Sequence, residues 1–548
     1  MSVNQKTTII KDASAVILIK DDKVFLAQRN PQIPFLGGWY AFAGGKVEVQ
    51  DAEIEVRNVE TEELAKFIVT AVRETFEEIG VLIVRNGEKL TKGQRASLHD
   101  DLMSGRSTFA EILDSWGLWI DAEDFQYTGF WTTPPFSPVR FKTRFFLAKC
   151  PPKQEPQIFG EFTAGGWTTT TDALKRWENS EILISPPVLI SLQELAKISP
   201  QRRKDAEKNI EVIEDTEFIG NYLGVSSEKN SVSLRLCGEK LLKKSEKFDG
   251  QIDFVEFNSR LICFPLKTET LPPATHTNCF IVGKQEFIVI DAASREKDEQ
   301  AKLHKLIDSF IEKGFTCKEI IVSHLHQDHF GGETALQKHL QAKFNLKIPI
   351  SAHKLTAESL SGKVEFQRFI EDNEIFKLKD ENGVSFEIQA LHTRGHARGQ
   401  LAFYDERFGF LLSGDNVVGI GSVLIAPPEG DMTDYLQSLE RLKNLPNLQF
   451  LCGSHGAAIF DAKSKIESYI AHRLEREKKI IEAIENGTKD VKEIVAKVYT
   501  DISPDLYQLA ELSVEAHLEK IRAEKFKLTS VRVKKNLPAE NTEHAEIK

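Results

Sequence analysis

"SHLHQDHFGG", residues Ser323 to Gly332, places three histidines and an aspartate within six positions. The stretch before it, Glu319-Ile-Ile-Val322, is mostly apolar and β-branched and reads as the end of a buried strand. The stretch after it, "GGETALQKHLQ", reads as a loop entering a helix. The polar cluster therefore stands where a strand runs out into a loop. A packed core has little use for four polar side chains at such a point, because each would need its own partner. A metal ion partners several at once. Zinc takes neutral imidazole and carboxylate ligands, and a catalytic site keeps one position for water. His324 and His326 can reach one ion, and Asp328 and His329 a second. Three further candidates each follow an apolar run: His396 in "HTRGHARG", Asp415 in "FLLSGDNV" and His455 in "FLCGSHGA". Gly395, Gly414, Gly453 and Gly456 suit tight turns that bring backbone close to a ligand.

The ordered set of His324, His326, Asp328, His329, His396, Asp415 and His455, preceded by Asp291 at the end of the strand-like "FIVIDAAS", resembles the metallo-β-lactamase superfamily. That resemblance implies an αββα sandwich and two Zn2+ or other transition-metal ions. It implies that His324, His326 and His396 hold one ion, that Asp328, His329 and His455 hold the other, and that Asp415 bridges them. Asp291 matches a buried acid that supports the ligand loops. The implied reaction is hydrolysis, in which paired ions lower the pKa of a water and polarise the scissile bond; Asp328 can orient that water. Arg394 stands where many relatives have proline, a change that bears on substrate contacts. His276, His353 and His392 read as ordinary histidines outside the ligand set. "PPATHTNCFIVG" and the helical stretch from "AHRLEREKKIIEAI" to "AELSVEAHLEKI" resemble the branch containing the mitochondrial endoribonuclease β-lactamase-like protein 2, which carries a winged-helix-like tail. Single-stranded RNA is the partner this implies.

A second motif lies near the N-terminus. In "AVRETFEEIGVLI", Ala71 to Ile83, Glu74, Glu77 and Glu78 stand three and four apart and share one helix face. Like charges at that spacing repel, and a hard divalent cation relieves the repulsion. Arg73 can pair with a carboxylate, and Gly80 fits the C′ position that ends a helix. The stretch resembles the Nudix box, with Gly44 and Gly45 of "WYAFAGGKVEVQD" as its glycine-rich start. Thr75 replaces a large aliphatic residue of that pattern, and 21 residues separate Asp51 from Arg73. The longer form resembles the subgroup containing the peroxisomal coenzyme A diphosphatases, as does Trp131–Phe146. The resemblance implies an α/β/α sandwich, Mg2+ or Mn2+ held by Glu74, Glu77 and Glu78, catalytic work by Glu74 and Glu77, supporting roles for Arg73, Gly45 and Gly80, and hydrolysis of a small-molecule diphosphate. Glu161 in "FGEF" is a further candidate ligand.

The whole chain has 548 residues, which suggests about three or four domains. Its net charge of -11 argues against a nucleic-acid or membrane binder along its full length. No signal-peptide core and no bilayer-length apolar run is evident. The six cysteines form no CxxC pair, which suggests reduced thiols and a cytoplasmic protein. The expected fold is a mixed α/β and α+β multidomain chain: a Nudix-like unit over 10–198, a linker over 199–249, a metallo-β-lactamase-like unit over 250–465, a winged-helix-like helical segment over 466–533 with a β-like "FKLTSVRV", and a disordered tail over 534–548. From Asp461 to Lys535 there are 16 Lys and Arg against 14 Asp and Glu. Arg473, Arg476, Lys478, Lys479, Lys520 and Lys525 are its candidate RNA contacts. Three readings of function remain open: an RNA phosphodiesterase joined to a Nudix hydrolase; an acyl-coenzyme A or other thioester hydrolase joined to a coenzyme diphosphatase; and a Nudix half that senses a ligand without turnover.

Overall fold

The computed structural model describes residues 10–33, 36–133, 139–179, 181–197, 254–380, 383–500 and 502–535. The linker expected at 199–249 lies outside the described residues, as does the tail expected over 534–548 except Lys534 and Lys535, which instead end the last helix.

In the N-terminal unit the run Ala13–Leu18 is buried almost throughout, as a central strand covered on both faces must be. Strand Ile10–Lys20 pairs antiparallel with Lys23–Arg29 and Ala43–Lys46, and parallel with Arg140–Lys149. Its Val16 and Leu18 face one core, shared with Phe67, Val72 and Phe76 of the helix Glu62–Ile79. Its Ala15 and Ile17 face another, shared with Ala173, Leu189 and Leu192 of the helices Thr170–Glu178 and Pro186–Lys197. The result is the α/β/α sandwich expected from the sequence. The helix Glu62–Ile79 starts where Thr61 accepts from the Leu64 amide and ends at Gly80, whose φ of 66° places it in the left-handed region.

The second unit is built from two packed sheets. One runs in the order Val255–Asn258, Leu261–Lys267, His276–Gly283, Glu286–Ile290, Thr316–Ile321, Ile350–Ala352, Arg368–Phe369. The other runs Ile375–Lys379, Ser385–His392, Leu401–Asp405, Phe410–Gly414, Phe450–Gly453. Phe280, Ile290 and Ile321 of the first meet Ile388, Phe403, Leu412 and Phe450 of the second in the inter-sheet core. Helices Lys297–Glu312 and Glu333–Phe344 cover one outer face. Helices Met432–Lys443 and Ala462–Glu485 cover the other.

The two units share part of that inter-sheet core. Trp39 and Leu183 of the N-terminal unit join it, and the Trp39 ring lies 5.6 Å from that of Phe257. A Cβ on Gly38 would stand 2.3 Å from the Phe460 ring, so only glycine allows this approach.

The C-terminal segment forms helices Ala462–Glu485, Val491–Val498 and Tyr507–Lys535, packed around Ile480, Val495, Val514 and Ile521. The β-like reading of "FKLTSVRV" is corrected, since these residues continue the last helix to Lys535. No glycine or proline interrupts the chain from Tyr507 to Lys535, so nothing stops a helix already nucleated by packing.

Candidate active sites

All seven histidine and aspartate candidates of the second unit meet at one edge of the sandwich, because each follows the end of a strand. His324, His326, Asp328 and His329 follow Thr316–Ile321, His396 follows Ser385–His392, Asp415 follows Phe410–Gly414, and His455 follows Phe450–Gly453. The Leu401 amide donates to the Ser323 carbonyl at 3.0 Å and ties the two sheets together beneath the site. Three groupings have ligand atoms within 4.8 Å of one another: His324, His326 and His396; His324, His329 and Asp415; and Asp328, His329 and His455.

The imidazoles are oriented from behind. The Nδ1 of His329 donates to Asp291 at 2.8 Å, that of His396 to the Leu424 carbonyl at 2.8 Å, and that of His455 to the His276 carbonyl at 2.9 Å. His324 Nδ1 sits 3.0 Å from the Ser323 hydroxyl, which itself donates to Asp291 at 2.7 Å. Asp291, buried and left-handed at φ 57°, also accepts from the Ser323 amide at 2.7 Å. Each Nδ1 so engaged aims its Nε2 inward, the atom that metal ligation would use. Asp415 stands between the groupings, with Oδ1 3.6 Å from His329 Nε2 and Oδ2 3.5 Å from His396 Nε2 and 3.6 Å from His455 Nε2. The Nε2 atoms of His329 and His396 and Oδ1 of Asp415 are buried and have no hydrogen-bond partner. Unpartnered buried polar atoms are costly, and three on and around the Asp415 carboxylate fit bound cations.

The electrostatics agree. Burial holds His324 and His396 below their usual range and His326 at about 3, so these imidazoles are neutral, as ligands must be. Burial also pushes His455 down, but Asp415 and Asp328 outweigh it and hold His455 at about 10. The same balance raises His329. The carboxylate field that keeps these two histidines protonated would equally favour a metal cation in place of their protons.

Three other histidines take no part in these groupings. His353 and His392 stack at 3.8 Å, and His276 offers only its carbonyl to His455. Arg394 lies 3.9 Å from Asp434 and its side chain is 60% exposed, so it is open to a substrate. The sequence reading missed the backbone acceptors of Leu424 and His276 and the hydroxyl of Ser323. The carbonyls have no side-chain signature, while Ser323, beside His324, was in plain view.

In the N-terminal unit the Arg73 guanidinium, buried on the helix, binds Asp51 through Nε at 2.8 Å and Nη2 at 2.9 Å. Its Nη1 reaches Glu74 at 3.0 Å and Glu77 at 3.1 Å. The 21-residue interval thus loops out and returns Asp51 to the helix. Glu78 turns inward and accepts from the Gly44 amide at 2.8 Å. A Cβ on Gly45 would stand 2.4 Å from the Glu74 carboxyl, so a larger residue there would push that carboxyl aside. Burial lifts Glu74 to about 7 and raises Glu78 well above the usual carboxyl range, with the Glu74 charge adding to that rise. Thr75 is fully buried and satisfies its hydroxyl on the Ala71 carbonyl at 2.6 Å, so the missing aliphatic side chain leaves no unpaired group. Glu161 pairs with Arg29 at 2.7 Å, and its charge adds to the rise of Glu78. Among the described residues, Glu74, Glu77 and Glu78 do not form a grouping as tight as those of the second unit, because Glu77 faces Arg73 and Glu78 faces Gly44.

The tail's expected RNA contacts are corrected in part. Arg473 and Arg476 are buried, with 4% and 6% exposure, and donate to the carbonyls of Val423 and Val498. Lys520 pairs with Glu477 at 2.6 Å and with Glu524 at 2.9 Å. Lys478 and Lys479 pair with Glu482 and Glu475 one turn away. Arg473 is thus spent on the second unit and Arg476 on the tail's own backbone. The side chain of Lys525 lies outside the described residues.

Two packed sheets with a histidine–aspartate cluster at their strand ends define a metal-dependent hydrolase fold. Comparison with known proteins agrees. The Metallo-beta-lactamase superfamily matches residues 272–455, and the Beta-lactamase associated winged helix domain matches residues 491–525. A NUDIX hydrolase of Alicyclobacillus acidocaldarius is 33% identical, over 35% of this chain and 93% of that one, with a TM-score of 0.31. The second unit thus carries a metallo-beta-lactamase superfamily domain over residues 272–455, and the N-terminal part has a Nudix hydrolase as a structural neighbour. Among curated relatives, an atrochrysone carboxyl ACP thioesterase of Pseudocercospora fijiensis is 25% identical over 41% of this chain and 62% of its own length. A beta-lactamase-like protein 2 homolog of Caenorhabditis elegans is 28% identical over 43% of this chain and 75% of its own length. The chain spans 59–62% of the length of the first curated relatives it matches. No helix of the described residues is long and apolar enough to cross a membrane.

Proposed function

We propose that the second unit holds a binuclear metal centre and hydrolyses a thioester. His324, His326 and His396 would hold one ion, Asp328, His329 and His455 the other, with Asp415 between them. The observation that carries this reading is the set of three buried, unpartnered ligand atoms on His329, His396 and Asp415, with His329 and His396 facing opposite oxygens of the Asp415 carboxylate. Imidazole-rich sites with carboxylates suit zinc, iron or manganese. Ions bound there supply an activated water and a polarised scissile bond. The chain's own contribution is to fix the imidazoles through Asp291, Leu424 and His276, and to offer the Asp328 carboxylate for orienting the attacking water.

The thioester is favoured over RNA because Arg473 and Arg476 are spent on internal carbonyls and Lys478, Lys479 and Lys520 pair with neighbouring glutamates. The likeness to an ACP thioesterase supports the same choice. The N-terminal unit would hydrolyse a diphosphate of coenzyme A type. Magnesium or manganese held by Glu74, Glu77 and Glu78 would neutralise phosphate charge there. Thioester and diphosphate are then two bonds of one class of molecule, an acyl-coenzyme A. The unpaired cysteines fit a reducing cytoplasmic compartment. RNA is the second reading, supported by the winged-helix match over 491–525 and the likeness to a beta-lactamase-like protein 2 homolog.

The test offers the full chain acyl-coenzyme A thioesters, single-stranded RNA, and nucleoside and coenzyme diphosphates, beside His326→Ala. Thioester cleavage that His326→Ala abolishes is the expected result. RNA cleavage lost in His326→Ala, with thioesters untouched, would replace it. Lack of turnover on every diphosphate would make the N-terminal unit a ligand sensor.

A further inference from the structure

The reaction described above has no use for the buried charge on Arg473. This guanidinium is 4% exposed, and among the described residues no carboxylate pairs with it. Burying a cation costs several kcal/mol unless its geometry is well compensated, and an apolar residue would usually serve packing better. Its hydrogen-bond partner is instead the carbonyl of Val423. Tyr469 lies one helical turn earlier on Ala462–Glu485 and therefore on the same face. Its hydroxyl meets the carbonyl of Val418 at 3.2 Å and the amide of Val418 at 3.4 Å. Arg473 also lies 5.5 Å from the ring of Tyr435, whose hydroxyl donates to the Asn416 carbonyl at 2.7 Å.

All three contacts fall on one loop, residues 416–424. Asp415 stands at its start. The Gly419 amide within it donates to the carbonyl of His455 at 2.7 Å. At its end the Leu424 carbonyl accepts Nδ1–H of His396 at 2.8 Å. Three of the seven candidate ligands thus take their position from a segment that the C-terminal helix grips at 418 and 423.

We propose that Arg473 and Tyr469 are positioning residues of the metal centre, through which the C-terminal segment sets the ligand loop of Asp415, His396 and His455. This rests on the metal-centre reading above. It gives the tail a role at the site without any contact to substrate.

Arg476 provides the internal control. It is buried on the same helix, but its guanidinium serves the Val498 carbonyl and lies 4.3 Å from the Tyr499 ring, within the tail itself. The experiment measures zinc affinity of the full chain by competition with a chromophoric chelator, together with the absorption of the cobalt-substituted protein. Arg473→Ala should weaken zinc binding on the order of 10–100-fold, as loss of an outer partner of a ligand does, and should shift the cobalt bands. Arg473→Lys, which keeps a donor for Val423, should recover part of the loss. Tyr469→Phe, which removes one hydroxyl, should weaken zinc by a smaller factor and decides the matter if Arg473→Ala does not fold. Arg476→Ala should lower the unfolding midpoint while zinc affinity and cobalt spectrum stay as in the parent. Parent-like zinc affinity in folded Arg473→Ala would overturn the proposal, as would an equal loss in Arg476→Ala. A parent chain that binds no zinc would instead overturn the metal-centre reading on which it rests.

Discussion

Asp291→Asn is a nearly isosteric change in a side chain predicted never to touch a metal. Asp291 is 2% exposed and accepts three hydrogen bonds, from the Ser323 amide, the Ser323 hydroxyl and His329 Nδ1, at 2.7, 2.7 and 2.8 Å. The asparagine oxygen can keep the Ser323 amide, which leaves its NH2 facing the imidazole. Either His329 Nδ1–H loses its acceptor, at about 1–3 kcal/mol for a buried donor, or the ring changes tautomer and accepts from the amide. The second outcome places a hydrogen on Nε2, the atom that should bind metal. Both routes weaken the site, by roughly 10–100-fold in metal affinity if Asp291 acts as an outer orienting partner. The assay is chelator competition for zinc at constant pH, with urea unfolding of the zinc-free chain run in parallel. The expected result is a folded protein, about 1–3 kcal/mol less stable, with zinc affinity reduced by that factor. A folded Asp291→Asn chain that holds zinc as tightly as the parent would refute the claim that Asp291 fixes the His329 tautomer.

Two other predictions concern the N-terminal unit. His326→Ala should abolish hydrolysis at the metal centre and leave diphosphate hydrolysis intact, and Glu77→Gln should do the reverse, since the two candidate ligand sets share no residue; rates on both substrates for each folded variant check this. Glu74 is lifted by burial from 4.5 to about 7, so the fold holds its proton where the unfolded chain has lost it. Stability from this group is therefore full below about pH 4.5 and is lost as pH rises through about 7. The melting temperature of the metal-free parent should fall relative to that of Glu74→Gln across this window, and a constant difference between them would contradict the burial of Glu74.

Much of this organisation could be read from local patterns. His324, His326, Asp328 and His329 sit on one turn beside an apolar strand, and the helix Glu62–Ile79 ends at a glycine placed for it. What escaped depends on contacts distant in sequence. Asp51 is an ordinary acid until the fold returns it to Arg73, 21 residues beyond the interval's start. Strand Leu261–Lys267 carries Pro265, a residue that argues against a central strand, yet it lies between two others. Arg473 and Arg476 read as RNA contacts because a helix's sequence does not reveal which backbone carbonyls will lie beneath it. "FKLTSVRV" alternates like a strand over a few residues, but the helix before it already supplied the nucleus.

The central claim is that the cluster around Asp415 is a binuclear metal centre. The most direct measurement is elemental analysis of the full chain after extensive dialysis, beside a His324→Ala/His329→Ala double variant that removes a ligand from each proposed ion. The account predicts about two zinc, iron or manganese ions in the parent, as the two-ion chemistry requires, and a marked loss from the double variant. A parent without transition metal, or a double variant that keeps the full complement, would contradict it.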